Sequence, residues 1–110
     1  MLRLEKSKEQ SSDILSLFGE VDASNSVHLD EAIKEIVDAG SKSILVDGAG
    51  LEYISSAGLG VFMSYLEDFQ DNDIDLKICN LSPKVFEVFK ILGLDQLIPI
   101  YSTKSEALAS

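Results

Sequence analysis

Residues 43–71 read SILVDGAGLEYISSAGLGVFMSYLEDFQD, and this stretch decides the fold. Its first five residues, 43–47, form a short apolar run of the kind that is buried on both faces of a sheet, which predicts a central strand. Residues 48–56 contain two glycines and two serines, which favours a loop. Apolar side chains then recur at intervals of three and four positions, which predicts a helix over about 56–71. The apolar positions of this helix are Leu59, Phe62, Met63, Leu66 and Phe69.

The residues before this stretch predict a strand pair followed by a helix. Residues 2–8 and 14–21 alternate in part between apolar and polar side chains, and a polar QSSD turn separates them, which favours an antiparallel hairpin. A helical pattern follows and ends at Gly40. Its apolar positions are Leu29, Ala32, Ile33 and Ile36. The candidates for its N-cap are Asp22, Ser24, Asn25 and Ser26.

The residues after this stretch predict another strand and a well-delimited helix. Residues 76–79 form a short apolar run after a polar turn, which predicts a strand. Ser82 is a good N-cap residue, and Pro83 occupies the first helical position, where its missing N–H costs nothing. Gly93 ends the pattern, so we expect a helix between these limits.

A short strand and a short helix are predicted at the end of the chain. Residues 97–101 favour a strand at a sheet edge, because Pro99 cannot donate a ladder hydrogen bond. Residues 103–106 form a capping box for a terminal helix. Strands that alternate with helices require crossover connections, so most of the sheet should be parallel. The predicted fold class is α/β: a single domain over residues 1–110, with a mixed sheet of about five strands, about four helices and an antiparallel N-terminal strand pair.

Size and charge exclude several classes of function. The chain has 110 residues, too few for a two-domain enzyme. Its formal net charge is −10 and Arg3 is its only arginine, so the basic surface that nucleic acids require is missing. The same charge would repel an anionic membrane surface and attract a basic protein face. Cys79 is a lone cysteine that we expect to be buried, and no apolar run approaches the roughly 18 residues of a membrane span. We therefore expect a cytoplasmic domain with a protein partner.

The catalytic and metal-binding motifs in the sequence are incomplete. The glycines at 48–50 and 58–60 lack the third glycine of a dinucleotide-binding fingerprint. The aspartates of 71–75 resemble the first ligands of a calcium loop, but Leu76 occupies the position of its sharp-turn glycine. A metal cage or a catalytic triad would depend on His28, which we expect on a helix surface. We therefore expect no enzyme activity, no cofactor and no metal site.

The segment Ser55-Ser56-Ala57-Gly58-Leu59-Gly60 needs its own explanation, because both glycines fall in the first turns of a predicted helix. A glycine costs a helix interior about 1 kcal/mol relative to alanine. Without side chains there, the N–H groups at the helix start and the serine hydroxyls stay open to an incoming group, and such a site suits phosphate. Alternatively, one of the two serines simply caps the helix. The residues alone leave both interpretations open.

Three elements of the chain together resemble the STAS family, the small domains of bacterial anti-sigma factor antagonists that also occur as tails of sulphate transporters. The stretch 19–22, Gly-Glu-Val-Asp before a helix start, is similar to that family's Gly-Glu-(Leu/Val)-Asp element. Asp47 is similar to the aspartate that ends its central strand. The stretch 55–60 is similar to the phosphorylation loop, usually Asp-Ser-Ser/Thr-Gly-Leu-Gly. The resemblance spans almost the whole chain and implies a STAS-like fold.

The resemblance also implies which residues form the site. Ser56 takes the position of the phosphoacceptor, Ser55 that of the aspartate before it, and Ala57 that of the second Ser/Thr. We expect phosphorylation on Ser56, with Ser55 as the competing acceptor. Asp22 and Asp47 would flank Ser56 from neighbouring strand ends, or cap the helix or loop that follows each of them. The implied partner-binding residues are Asp22, Asp47, Ser55, Ser56, Ala57, Gly58, Leu59 and Gly60.

The partners are implied by the resemblance as well. The unmodified domain would bind an anti-sigma factor, itself a serine kinase with a histidine-kinase-like ATPase fold, and would thereby release a sigma factor. Phosphorylation would reverse the binding, and a serine phosphatase would restore it. The alternative is a non-phosphorylated STAS subunit that stabilises the ATPase of an ABC-type phospholipid transporter. No contact with nucleic acid or membrane is expected, and the oligomeric state is left open.

Overall fold

The five strands of the sheet are β1 (Leu2–Glu9), β2 (Ser12–Val21), β3 (Ser43–Ile54), β4 (Asp75–Cys79) and β5 (Ile100–Tyr101). They belong to a computed structural model that describes residues 1–110. The strands lie in the sheet in chain order. β1 and β2 pair antiparallel, and each later strand pairs parallel with the one before it. The hairpin turns at Gln10 and Ser11, whose φ angles of 49° and 75° suit a tight two-residue connection.

Four helices connect or follow the strands. They are α1 (Ser26–Asp38), α2 (Ser56–Asp71), α3 (Pro83–Ile91) and α4 (Lys104–Ala109), and a short 3₁₀ turn spans Leu94–Gln96. The predicted cap of α3 is confirmed, because the Ser82 hydroxyl accepts from the Val85 N–H at 3.3 Å. The cap of α4 is confirmed in the same way by Thr103, which accepts from the Glu106 N–H at 3.1 Å. None of the four helices is long and apolar enough to cross a membrane.

The helices cover the two faces of the sheet unequally. α1, α2 and α3 share the large core on one face, where the rings of Phe62 and Phe89 lie 6.1 Å apart and join α2 to α3. α4 packs alone on the opposite face, where Ala107 meets Ile14, Leu45 and Cys79 in a smaller cluster. Neighbouring residues of a strand point to opposite faces, which explains why β2 and β3 contribute to both clusters.

The predicted fold class is confirmed, and two strands, β3 and β5, differ in length from the prediction. β3 runs to Ile54, seven residues beyond the predicted end, because it pairs with β2 from Ile44 to Ile54. The predicted loop at 48–56 is therefore mostly strand. β5 contains only two residues, because the 3₁₀ turn continues into Leu97 and Ile98, whose N–H groups both bond to the Leu94 carbonyl. Pro99 then accepts one bond from the Ile78 N–H and can donate none.

Candidate functional site

The ends of β2 and β3 bring two of the predicted site segments together. Val21 pairs with Ile54 as the last residue of each strand, and the Ser55 N–H donates to the Val21 carbonyl at 2.8 Å. Asp22 therefore emerges beside Ser55 and the start of α2. The predicted flanking of the serine pair by Asp22 agrees with this arrangement.

Ser55 is the N-cap of α2. Its backbone is extended (φ −88°, ψ 172°), and its hydroxyl accepts from the Gly58 N–H at 3.4 Å. The side chain is half-buried, and its oxygen is turned toward the backbone of the first helical turn. The capping interpretation is thus confirmed for one serine of the pair.

Ser56 occupies the first helical position and is exposed. Its hydroxyl makes no hydrogen bond within the protein, in contrast to that of Ser55. The N–H groups of a first turn lack partners within the helix, and the helix dipole places partial positive charge there. No acidic residue lies in the first turn of α2 to neutralise it. This end of α2 can therefore accommodate a negatively charged group attached to the Ser56 oxygen.

Asp22 is fixed by the loop between β2 and α1. Its carboxylate accepts from the Ser24 hydroxyl at 2.6 Å and from the N–H groups of Ser24 and Asn25 at 2.9 and 3.2 Å. The bond from the Ser24 hydroxyl, assisted by the two backbone donors, lowers the pKa of Asp22 below its ordinary value. Asn25 closes the loop by accepting from the Asp22 N–H at 2.8 Å. Asp22 is thus an ionised, oriented carboxylate next to the serine pair.

Gly58 and Gly60 have different roles, and the expectation that both keep the site open is wrong for Gly58. Gly58 is buried, and a methyl group there would lie 2.6 Å from Val21 Cγ1 and 2.7 Å from Ile54 Cγ1. It lets α2 approach the sheet. A methyl group on Gly60 would meet nothing within 4 Å, so only Gly60 faces open space. Leu59 is fully buried and has no side-chain surface for a partner.

A shallow groove between α1 and α2 runs past Gly60. The sequence did not indicate the contribution of α1 to it; a signal was available only on α2, where Ala57, Gly60, Val61 and Ser64 share one side of a helix at spacings of three and four. Val27 is 54% exposed on the α1 side. The residues that line this α1–α2 groove are Ser26, Val27, Asp30, Ala57, Gly60, Val61 and Ser64.

Asp47 does not belong to this site, and the prediction that it ends the central strand is wrong. It lies in the middle of β3, opposite Ser16 of β2, with Ile54 seven residues further along. At roughly 3.3 Å per residue, and allowing for two bulges, about 15 to 20 Å separate Asp47 from the start of α2. Its carboxylate accepts from the Ala49 N–H at 3.0 Å and from the Asn80 amide at 3.1 Å. The position of Asp47 within β3 therefore favours the second interpretation of this residue, in which it caps the backbone that follows it, over the first, in which it flanks Ser56.

Cys79 and His28 lie where the sequence predicted them. Cys79 is fully buried, and desolvation, followed by the negative charge of Asp47, raises the pKa of its thiol to about 12. A thiol in this state is a poor nucleophile. His28 is exposed on α1, where its Nδ1 lies 3.4 Å from a carboxylate oxygen of Glu31.

The STAS domain family profile matches residues 5–107, and the chain belongs to this family. The fold and the family match thus define a STAS domain. The chain is 33% identical over 97 residues, which are 88% of this chain and 84% of the relative, to BtrV of Bordetella bronchiseptica, a protein named as a candidate anti-sigma factor antagonist.

Solved structures of anti-sigma factor antagonists share this fold at low sequence identity. An anti-sigma factor antagonist from Mycobacterium paratuberculosis superposes with a TM-score of 0.91 at 21% identity, over 99% of this chain and 92% of that one. The anti-sigma factor antagonist SpoIIAA, a Bacillus cell fate determinant, has been solved in two states. Its unphosphorylated form gives a TM-score of 0.79 at 23% identity, over 98% of this chain and 93% of that one. Its phosphorylated form gives 0.71 at 22% identity, over 99% and 97%.

Proposed function

We propose that this protein is an anti-sigma factor antagonist whose binding is switched off by phosphorylation of Ser56. In its unmodified form it binds an anti-sigma factor that is a serine kinase with a histidine-kinase-like ATPase fold, and a sigma factor is released. One observation carries the proposal: Ser56 is exposed with a free hydroxyl at the start of α2, whereas the hydroxyl of Ser55 is engaged in capping. The names of BtrV and SpoIIAA, and the phosphorylated state of SpoIIAA, support it.

Phosphorylation would change the binding surface more than the fold. A phosphate on Ser56 adds about −1.5 to −2 charge and three acceptor oxygens, and the N-terminus of α2 stabilises that charge. A kinase face that fits a neutral hydroxyl would then meet a bulky dianion beside the ionised Asp22. A loss of about 2 to 3 kcal/mol of interaction weakens binding roughly 30- to 150-fold. A local change of charge therefore suffices as the switch.

The proposed contact surface is smaller than the sequence implied. It comprises Asp22, Ser55, Ser56, Ala57 and Gly60, which lie together at the end of β2 and the start of α2. The role requires no catalytic group in this chain, because the kinase supplies the chemistry. It also requires a serine phosphatase to regenerate the hydroxyl, and it places the protein in the cytoplasm with its sigma factor.

Phosphorylation by purified kinases tests the proposal. Each serine kinase of this fold class encoded in the source genome is incubated with ATP and with the wild type, Ser56→Ala, Ser55→Ala or Ser105→Ala, and the modified residue is mapped by mass spectrometry. We expect one kinase to modify every protein except Ser56→Ala. Ser105→Ala is the matched control, because Ser105 is an exposed serine near the start of α4, on the opposite face of the sheet.

Two results would contradict the proposal. Undiminished modification of Ser56→Ala would assign the acceptor to another residue. Absence of both binding and modification with every kinase would favour the non-phosphorylated transporter subunit instead, and co-purification with a transporter ATPase would then be the next measurement.

A further inference from the structure

The α1–α2 groove contains a carboxylate that is held on one side and free on the other. Asp30 Oδ1 accepts from the Tyr65 hydroxyl at 2.6 Å, and the same hydroxyl reaches the Asp30 carbonyl at 3.2 Å. Burial, together with the bond to Asp30, raises the pKa of Tyr65 above its ordinary value, so the hydroxyl keeps its proton and remains a donor. Oδ2 of Asp30 makes no hydrogen bond, and no cation lies within 4 Å of the side chain. The hydrogen bond from Tyr65 of α2 therefore orients the Asp30 carboxylate, which has no counter-charge within 4 Å.

The groove also has space beside Asp30 that the fold itself does not need. Gly60 lies in the body of α2, where alanine would be the better helix former by about 1 kcal/mol. A methyl group there would meet no atom within 4 Å, so packing does not require glycine. The neighbouring walls are formed by the small side chains of Ala57 and Ser64 and by the exposed Val27. An extended side chain from outside can lie along this surface.

No lysine or arginine of the chain lines the α1–α2 groove. No lysine or arginine occurs between Glu9 and Ile33 or between Ser43 and Leu76, the segments that form most of α1 and all of α2. Lys34 follows Asp30 by one turn of α1, but it forms no ion pair with the Asp30 carboxylate. A long cationic side chain with an aliphatic stem matches both the free carboxylate and the apolar wall, since lysine and arginine commonly pack their stems on apolar surface. A partner with a neutral or acidic residue at this point would leave Asp30 uncompensated.

We propose that the α1–α2 groove receives a lysine or arginine side chain of the partner protein, which pairs with Asp30 while its stem lies against Val27 and Val61. The inference rests on the proposed function and names the chemistry of the same partner, the anti-sigma factor kinase. Gly60 lies one helical turn from Ser56, so the cationic contact falls within about 6 Å of the phosphoacceptor along α2. Tyr65 acts as a positioning residue, because its hydroxyl bonds only to Asp30.

Affinity measurements at two salt concentrations test this contact. The probe is the purified kinase that modifies the wild type, and its association is measured at about 50 mM and about 300 mM NaCl. Asp30→Asn retains an acceptor for Tyr65 and removes only the charge; we expect it to weaken binding about tenfold at low salt and to flatten the salt dependence. The matched control, Asp71→Asn, makes the same change at the far end of α2, and we expect it to bind within about twofold of the wild type.

A double-mutant comparison separates the positioning role of Tyr65 from a general structural one. Tyr65→Phe should weaken binding about threefold in the wild type and have no further effect in the Asp30→Asn background. Equal binding and equal salt dependence of wild type and Asp30→Asn would overturn the proposed contact while leaving the antagonist function intact. Failure of the wild type to bind any such kinase would instead overturn the function, and the contact with it.

Discussion

Substitution of the two glycines of α2 by alanine should shift stability in opposite directions, although they are only two residues apart. The methyl group of Gly58→Ala would lie 2.6 Å from Val21 Cγ1 and 2.7 Å from Ile54 Cγ1. Both neighbours are buried and β-branched, so their rotamers are restricted and they cannot simply turn away. Overpacking of this kind costs about 1 to 3 kcal/mol, and the gain in helix propensity near a helix end offsets less than about 1 kcal/mol of it. We expect a net loss of about 1 to 2 kcal/mol.

Gly60→Ala is the matched control for this substitution. Its methyl group meets nothing within 4 Å, so the propensity gain remains unopposed and should stabilise the protein by about 0.5 to 1 kcal/mol. For a chain of this length the unfolding entropy converts about 1 kcal/mol into about 4 °C of Tm. Gly58→Ala should therefore melt about 4 to 8 °C below the wild type, and Gly60→Ala about 2 to 4 °C above it.

Urea unfolding followed by circular dichroism, with the same dependence of the free energy on urea concentration for every variant, gives the free energy of unfolding. Calorimetry gives the Tm. A Gly58→Ala protein as stable as the wild type would refute the inference that a side chain at this position displaces α2 from the sheet. Shifts of both variants in the same direction would refute the distinction between a packed and an open glycine.

Three further predictions concern single side chains. Ser55→Ala should lower the free energy of unfolding by about 1 kcal/mol, because it removes the cap of α2. Ser56→Ala should change the free energy of unfolding by less than about 0.5 kcal/mol. Equal losses for the two variants in urea unfolding would contradict the assignment of the cap to Ser55. Burial raises the pKa of the Cys79 thiol from 9.0 to about 12, so its contribution to stability is present below pH 9 and is lost as the pH rises toward 12. The free energy of unfolding of the wild type should accordingly fall more steeply with pH over this range than that of Cys79→Ala. Parallel plots of the free energy of unfolding against pH would refute the raised pKa of the Cys79 thiol. Ser24→Ala should raise the pKa of Asp22 toward its ordinary value in an NMR titration, because it removes the strongest of the bonds that lower it; an unchanged titration would show that the backbone donors alone suffice.

The order and type of the elements follow from the sequence because local signals and tertiary packing agree along most of the chain. Ser82 and Pro83 start α3, and Thr103 starts α4, as their capping chemistry predicts. The second half of β3 could not be predicted, since its glycines resemble a loop. In the sheet Gly50 lies directly against the ring of Phe18, a contact across strands that no local pattern reveals.

The candidate site was predictable where it depends on chain order and not where it depends on packing. The family resemblance and the capping pattern locate Ser55 and Ser56 correctly at the helix start. Asp47 lies outside the site because β3 is longer than its local sequence indicates, and Gly58 is inaccessible because it is buried against β2 and β3. Both facts depend on how β2 and β3 meet α2, which no local pattern shows. The contribution of Asp30 is invisible in the sequence for the same reason: it results from the packing of α1 against α2.

The chain order of the strands has a consequence for synthesis. Each new strand joins the open edge left by the one before it, so no strand has to be inserted between two that are already paired. Residues 12–71 contain β2, α1, β3 and α2, and hence every group proposed to contact the partner, together with Tyr65, which positions Asp30. These elements leave the ribosome before β4 and β5, and the core closes when Phe89 of α3 can pack against Phe62 of α2. The residues proposed to contact the partner are thus synthesised first, and the remaining strands extend the sheet behind them.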